Sequence, residues 1–374
     1  MSILFRGPVH GIAGPQAGVL VQDGQIAWVG TGVPPAPADH EVVAEPGETI
    51  APGFIDLQVN GFSGHDAAQG AQAISAISRM LPAYGVTGFL ATMISSPLQE
   101  VEAFVHAARR AQSEGARVLG AHVEGPFLNP AFRGAHDLAN LIDPTPDRVA
   151  KVLAAAPRMM TLAPEQPGGL EAVARLHRAG VIVAAGHTGA DFELAQRAIE
   201  AGVRFGTHLY NAMRGFHHRR PGVTAALLLD ERVTVGLIGD GEHLHPATLE
   251  EVLRLKRPTR VALTTDQVAA AGAPPGRYRL GGRDVTSDGA AVRLEDGTLA
   301  GSVATMDELV LQMAKLGETW RERAITAATE SPATVLGEPR LGRLCPGAHA
   351  DVIILDRQMR VRLTMIAGRI VFER

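Results

Sequence analysis

The chain has 374 residues, 46% of them hydrophobic and 20% charged, and its 35 Lys and Arg against 39 Asp and Glu leave a formal net charge of −4. A chain this long buries a large core without disulfides or a structural metal to hold it. The near-neutral balance, with no long run of one sign and only 4% aromatic residues, excludes a basic, base-stacking nucleic-acid surface. No apolar run reaches the ~18 residues of a membrane span, and the opening MSILFRGPVHG lacks the apolar stretch of a signal peptide. Cys345 is the single cysteine, so no internal disulfide forms. The sequence reads as a cytoplasmic globular protein with neither nucleic acid nor membrane as partner. Fourteen His beside that one Cys mean that any metal site is built from imidazole and carboxylate.

In chain order, residues 18–30 (GVLVQDGQIAWVG) come first, with two strand-like runs about Asp23-Gly24, a hairpin signal. Eight apolar runs follow: GFIDLQV (53–59), VTGFLATM (86–93), RVLGAHVEG (117–125), MMTLAPE (159–165), VIVAAGH (181–187), RFGTHL (204–209), TVGLIGDG (234–241) and RVALTTD (260–266). Their nearly continuous apolarity fits parallel strands covered on both faces. Helical stretches lie between them. Ser96-Pro97-Leu98-Gln99 reads as an N-cap, a proline at the first helical position and a capping-box glutamine, and Thr145-Pro146 repeats the device before DRVAKVLAAA. LEAVARLHRAG, FELAQRAIEAG, ATLEEVLRLK and MDELVLQMAKLG are further helices, several stopping at glycine.

Eight such units predict an α/β fold, a (β/α)8 TIM-like barrel over residues 51–344. A doubly wound sheet is the competitor, but no G-x-G-x-x-G follows the first strand. Residues 278–302 read as a β insertion between the eighth strand and its helix, and 350–374 as three strands turning near Asp356-Arg357 and Ala367-Gly368. Residues 1–50 and 345–374 are thus expected to form one small β-sandwich domain from both chain ends.

Barrel enzymes carry reactive groups at the C-terminal ends of their strands. Here those ends are Gln58-Val59-Asn60, Glu124, Glu165, His187, His208, Asp240 and Asp266, a rim too polar to bury without a use for it. Glu124, His187 and His208 would hold one divalent metal with a position left open, zinc first and iron or cobalt as alternatives. Asp266 is placed to take a proton from an activated water and return it to a leaving amine. His122 shares a strand face with Glu124 and reads as support for that carboxylate or a substrate contact, ahead of a further ligand. Gln58 and Asn60 share a face near the metal pocket; as neutral amides they hydrogen-bond there instead of holding a second ion. Phe216-His217-His218-Arg219-Arg220 offers cationic groups suited to phosphate. His243 and His245 alternate, so that one faces the pocket.

These segments resemble the N-acetylglucosamine-6-phosphate deacetylases of the amidohydrolase superfamily over nearly the whole chain. The resemblance is carried by PGFID (52–56), HVEGPFLNP (122–130) with GAH (134–136), GHTGA (186–190), THLYNAM (207–213), RRPG (219–222), DGEHLHP (240–246), TTD (264–266), GTLAGS (297–302) and PGAHADVIILD (346–356). HVEGP followed by THLYNAM is the specific part; the ADVIILD tail is generic. The resemblance implies metal ligands at Glu124, His187 and His208 and a catalytic carboxylate at Asp266. It implies substrate contacts at Ala135, His136, Asn211, Ala212, Arg219, His243, Leu299, Ala300 and Gly301. The implied reaction is metal-dependent hydrolysis of N-acetyl-D-glucosamine 6-phosphate to glucosamine 6-phosphate and acetate, in amino-sugar catabolism or cell-wall recycling. The implied assembly is a homodimer whose arginine loop reaches a neighbour's phosphate site, with Arg219 favoured over Arg220 by its spacing from His208. Gln58-Val59-Asn60 stands where many amidohydrolases have His-x-His, and Gln267 follows Asp266 where alanine is expected. Another N-acetylhexosamine phosphate as substrate is the close alternative; a non-catalytic sugar-phosphate binder on the same scaffold is the distant one.

Overall fold

Strands that are apolar along their whole length need cover on both faces, and a closed sheet ringed by helices supplies it. The computed structural model describes residues 2–14 and 17–374. Its largest sheet has eight strands: β1 (Phe54–Val59), β2 (Val86–Met93), β3 (Arg117–Glu124), β4 (Met159–Leu162), β5 (Ile182–Ala185), β6 (Val203–Gly206), β7 (Thr234–Leu237) and β8 (Val261–Leu263). They pair in chain order, all parallel. Around them run α1 (Ala71–Met80), α2 (Leu98–Arg110), α3 (Pro146–Ala155), α4 (Gly169–Arg178), α5 (Phe192–Ala201), α6 (Gly222–Leu229), α7 (Pro246–Leu255) and α8 (Met306–Ala314). One apolar cluster takes Ile55, Leu57, Leu90, Met159, Ala184, Phe205 and Ala262 from six of the strands. It fills the barrel, and Ala333, Leu336 and Leu341 cap it at one end.

The seam between β8 and β1 is closed differently from the others. Asp56 accepts hydrogen bonds across it from the Thr265 N–H at 3.3 Å and the Thr265 hydroxyl at 2.6 Å. Above that, the N–H groups of Asn60 and Gly61 both donate to the Gln267 carbonyl, at 2.9 and 3.1 Å. Burial pushes the Asp56 carboxyl up to about 7, against the pull of the Thr265 hydroxyl and the Gln58 and Thr265 N–H groups.

Several strands stop short of the sequence-based limits. β5, β6 and β8 end at Ala185, Gly206 and Leu263, because His187, His208 and Asp266 adopt φ of 51°, 30° and 50° and no strand continues through such residues. The α2 cap is shifted by one: Pro97 is the N-cap, and the Ser96 hydroxyl donates to the Ile94 carbonyl instead. Helix α6 escapes periodicity because nearly all of it is buried and it has no polar face to alternate with.

The chain ends build two four-stranded sheets. Ser2–Arg6, Ala17–Gln22, Gln25–Thr31 and His40–Val43 form one; Thr49–Pro52 joins Val352–Leu355, Val361–Ile366 and Arg369–Glu373 in the other. Phe5, Val19, Val21, Ile26, Ile354 and Leu363 share one core between them. After β8, Gly276–Leu280, Arg283–Ser287 and Val292–Arg293 form a small antiparallel sheet beside the barrel mouth. No helix among the described residues is long and apolar enough to cross a membrane.

Candidate active site

At the C-terminal ends of the strands the backbone turns left-handed at His187, His208, Ala212 and Asp266. Such conformations are costly for residues other than glycine and persist where the surroundings impose them. Here they swing the side chains inward over the barrel. Glu124, at the end of β3, brings Oε1 to 2.9 Å from His208 Nε2 and 3.2 Å from His187 Nε2, and the two ring nitrogens lie 3.1 Å apart. All three side chains are buried.

The tautomers follow from the partners. His187 Nδ1 is 2.9 Å from the Phe132 carbonyl and so donates to it, leaving a lone pair on Nε2. That lone pair faces a carboxylate oxygen and a second ring nitrogen; with the His208 proton on Nδ1, which no other group among the described residues engages, three acceptor atoms converge and favour a shared cation. The N, N, O donor set fits a divalent metal with room for further ligands.

His136 lies beside them, with its ring centroid 4.3 Å from that of His187 and Nε2 3.8 Å from Glu124 Oε2. Glu124, His136 and His187 present ligand atoms within 4.8 Å of one another, so distance alone admits His136 as a ligand. Its tautomer argues otherwise. His136 Nδ1 accepts from the Ser95 N–H at 3.1 Å, which puts the ring proton on Nε2, facing the pocket as a donor. Burial, with the neighbouring His187, holds its pKa well below the ordinary value, keeping it neutral. His122 is occupied at both nitrogens, donating to the Leu57 carbonyl at 2.9 Å and accepting from the Thr161 hydroxyl at 2.8 Å. It sits inside the barrel as a support, without a free atom for metal or substrate.

Gln58 and Asn60 converge on the same oxygen. Gln58 Nε2 donates to Asp266 Oδ1 at 2.9 Å and to Glu124 Oε2 at 3.2 Å; Asn60 Nδ2 donates to Asp266 Oδ1 at 2.7 Å. Burial first, then the Glu124 carboxylate, pushes the Asp266 carboxyl up to about 7.

Asn60, Glu124, His136, His187, His208 and Asp266 line a cavity of about 300 Å³, together with Ala135, Asn211, Ala212, His243, Leu299 and Gly301, while Gln58 lies just behind its wall. His243 is held by Asp240, whose Oδ2 lies 2.8 Å from its Nδ1. Two expected contacts are not brought in. Ala300 turns away, fully buried against Val268, Val285 and Val292 behind the wall, because neighbours in extended chain alternate sides. Arg219 lies outside the cavity, exposed, with its guanidinium 2.8 Å from His218 Nε2. Conversely, Ile94, Phe132 and Leu280 line the cavity without having stood out in the sequence. Phe132 follows HVEGPFLNP closely enough to have been noticed; the apolar Leu280 of the β insertion carries no such signal.

The Amidohydrolase family model matches residues 49–371. The chain belongs to the amidohydrolase family. This amidohydrolase is 35% identical over 365 residues to the N-acetylglucosamine-6-phosphate deacetylase of Lysinibacillus sphaericus, covering 95% of this chain and 93% of that relative. It is also 35% identical over 363 residues to an N-acetylgalactosamine-6-phosphate deacetylase of Escherichia coli O157:H7, covering 94% and 93%. Among solved structures it is similar to an aspartate-to-alanine mutant of the N-acetyl-D-glucosamine-6-phosphate deacetylase of Mycobacterium smegmatis in complex with N-acetyl-D-glucosamine 6-phosphate. There the TM-score is 0.91 at 34% identity, over 99% of both chains. The resemblance carried by HVEGP and THLYNAM is borne out by these relatives, as is the barrel by the matching structure.

Proposed function

We propose that this amidohydrolase removes acetate from N-acetyl-D-glucosamine 6-phosphate in a metal-dependent hydrolysis, leaving D-glucosamine 6-phosphate. The observation that supports it most is the meeting of Glu124, His187, His208 and Asp266 over one small cavity, in a chain whose full-length relatives are named for this deacetylation. A divalent metal held by Glu124, His187 and His208, zinc by preference and iron or cobalt as alternatives, would supply a Lewis acid and a lowered pKa for water. Asp266, its Oδ1 fixed by Gln58 and Asn60, leaves Oδ2 to take a proton from the attacking water. As the C–N bond breaks, it delivers that proton to the leaving nitrogen. His136 aims its Nε2–H at the acetamide oxygen, where negative charge grows during attack. His243, braced by Asp240, and the Asn211–Ala212 turn border the space for the sugar phosphate; Ala135, Leu299 and Gly301 form its walls.

The proposed assembly is a homodimer. Phe216, Leu229 and Leu255 are 64%, 69% and 55% exposed around a groove that reaches His243, an apolar patch of the kind that marks an interface. Arg219 stands on the same segment as Phe216, outside its own cavity and free to approach a partner's. We assign residues 1–50 and 345–374 to the small β domain and 51–344 to the catalytic barrel, with the strand Thr49–Pro52 crossing that boundary by two residues to complete the chain-end sheet. Cys345 as the sole cysteine suits a reducing, cytoplasmic setting.

The test is acetate release by the metal-loaded protein from N-acetylglucosamine 6-phosphate, its galactosamine epimer and unphosphorylated N-acetylglucosamine. N-acetylglucosamine 6-phosphate is expected to give the highest kcat/KM. Preference for the epimer would move the activity to that of the Escherichia coli relative; no acetate from any of them would end the enzymatic reading.

A further inference from the structure

Glu165 lies three residues beyond β4, half-buried and outside the cavity. Its Oε1 accepts from the Asn129 side-chain amide at 2.8 Å and from the Gly189 N–H at 2.5 Å; its Oε2 accepts from the Thr188 hydroxyl at 2.5 Å. An ionised carboxylate only accepts, so it matches three converging donors as no neutral side chain does. Charge-assisted bonds of this sort are the strong ones.

The donors come from two separate loops, one after β3 and one after β5. Asn129 Oδ1 is already engaged by the Ala131 N–H at 2.8 Å, which fixes the amide so that its NH₂ faces Glu165. The same loops meet where the Asn129 N–H donates to the His187 carbonyl at 3.0 Å and His187 Nδ1 donates to the Phe132 carbonyl at 2.9 Å. They touch without slack: a methyl group on Gly189 would lie 2.4 Å from the Phe132 ring. Thr188 carries the linkage to the next loop, its N–H donating to the Ala212 carbonyl at 3.2 Å.

We propose that Glu165 is a positioning residue for His187. By tying Asn129 to Thr188 and Gly189, it holds the Phe132 carbonyl against His187 Nδ1, keeps the ring proton there and leaves Nε2 as the ligand atom. This rests on the reading that His187 binds the metal. Removal of a group that orients a metal-binding histidine weakens metal affinity or activity by roughly 10- to 100-fold.

In E165Q an NH₂ group replaces one carboxylate oxygen and faces a donor. T188V removes the hydroxyl's bond to Glu165, together with the one it accepts from the Ala190 N–H at 3.1 Å, and keeps the shape. Both are compared with the parent and with H187A by chelator competition for zinc, well below their melting temperatures, with circular dichroism as the check on folding. Metal affinity is expected to fall about 10- to 100-fold in E165Q and by a smaller factor in T188V. The absorption bands of the cobalt-loaded proteins should shift, while KM changes less than kcat. Should E165Q fail to fold, T188V decides alone. A lowered Tm with metal affinity and cobalt spectrum unchanged, while H187A loses metal, overturns the role of Glu165 and leaves the metal site standing. Full metal retention by H187A would instead sink the metal reading beneath it.

Discussion

Asp266 receives two amide donors on one oxygen and none from those amides on the other. In the proposed mechanism this asymmetry divides a single carboxyl into an anchored atom and a working one. Asp266→Asn preserves the size and most of the hydrogen bonding but cannot take a proton. It should keep its metal and bind substrate while kcat falls by ~10²–10⁴; steady-state kinetics alongside elemental analysis would check this, and a rate near the parent's would point to another base. The four groups around the metal pocket were legible because each closes an apolar run, where a polar residue in a barrel strand has nowhere else to go. The part given to His136 was not legible at that level. Its tautomer depends on Ser95, 41 residues away in sequence, and no spacing rule connects the two.

At the scale of elements, the segment Leu299–Ser302 extends the wall beside β8. The Ser302 N–H donates to the Asp266 carbonyl at 3.0 Å, and the Val268 N–H returns a bond to the Ser302 carbonyl at 3.1 Å. Gly301 sits at φ 73°, and a Cβ there would come within 2.4 Å of Val268 Cγ1 and 2.7 Å of the Asp266 carbonyl oxygen. Gly301→Ala therefore meets both a steric and a backbone penalty. It should cost roughly 1–3 kcal/mol in chemical denaturation and depress kcat by disturbing Asp266; an unchanged midpoint would mean that the wall yields freely. Strand existence was readable from the sequence and strand ends were not. The same residues that make the rim chemical also take left-handed turns, and apolar pattern carries no record of φ. Helix α6 shows the opposite gap, an element too uniformly buried to display a period.

At the scale of the whole molecule, the barrel seam and the chain-end sheets depend on pairings distant in sequence, such as Asp56 with Thr265, 209 residues apart. Apolar runs announce that strands exist but not how the last one meets the first. Asp56 predicts a pH effect. Its folded pKa of about 7 lies above the ordinary carboxylate range, so the folded protein holds a proton that the unfolded chain has released. The resulting stabilisation is complete below about pH 4 and is lost as the pH rises to about 7, at no more than ~1.4 kcal/mol per unit from this group. Asp307, pushed by burial to about 6, acts in the same direction. Thermal melts across this range should show a shallower decline for Asp56→Asn than for the parent; parallel curves would absolve Asp56. At the apolar patch, Phe216→Asp with Leu229→Asp should give monomers in sedimentation. The same pair should raise KM for the phosphorylated sugar about tenfold or more through loss of a charged contact, and an unaltered dimer would place the interface elsewhere.

A ring joined by backbone ladders at seven junctions, and at the eighth partly by one carboxylate, has a preferred place to breathe. Thermal fluctuations that leave the other junctions intact would part the lips between Asp56 and Thr265. Asp266 stands on one lip, while Gln58 and Asn60 stand on the other. Each such opening momentarily uncouples Asp266, the proposed proton carrier, from its amide tethers. Deuterium labelling of the folded protein would then find the amides of Asn60, Gly61 and Thr265 exchanging ahead of those buried in β2 and β3, and the stitch that completes the ring would also set how long the reacting groups stay aligned.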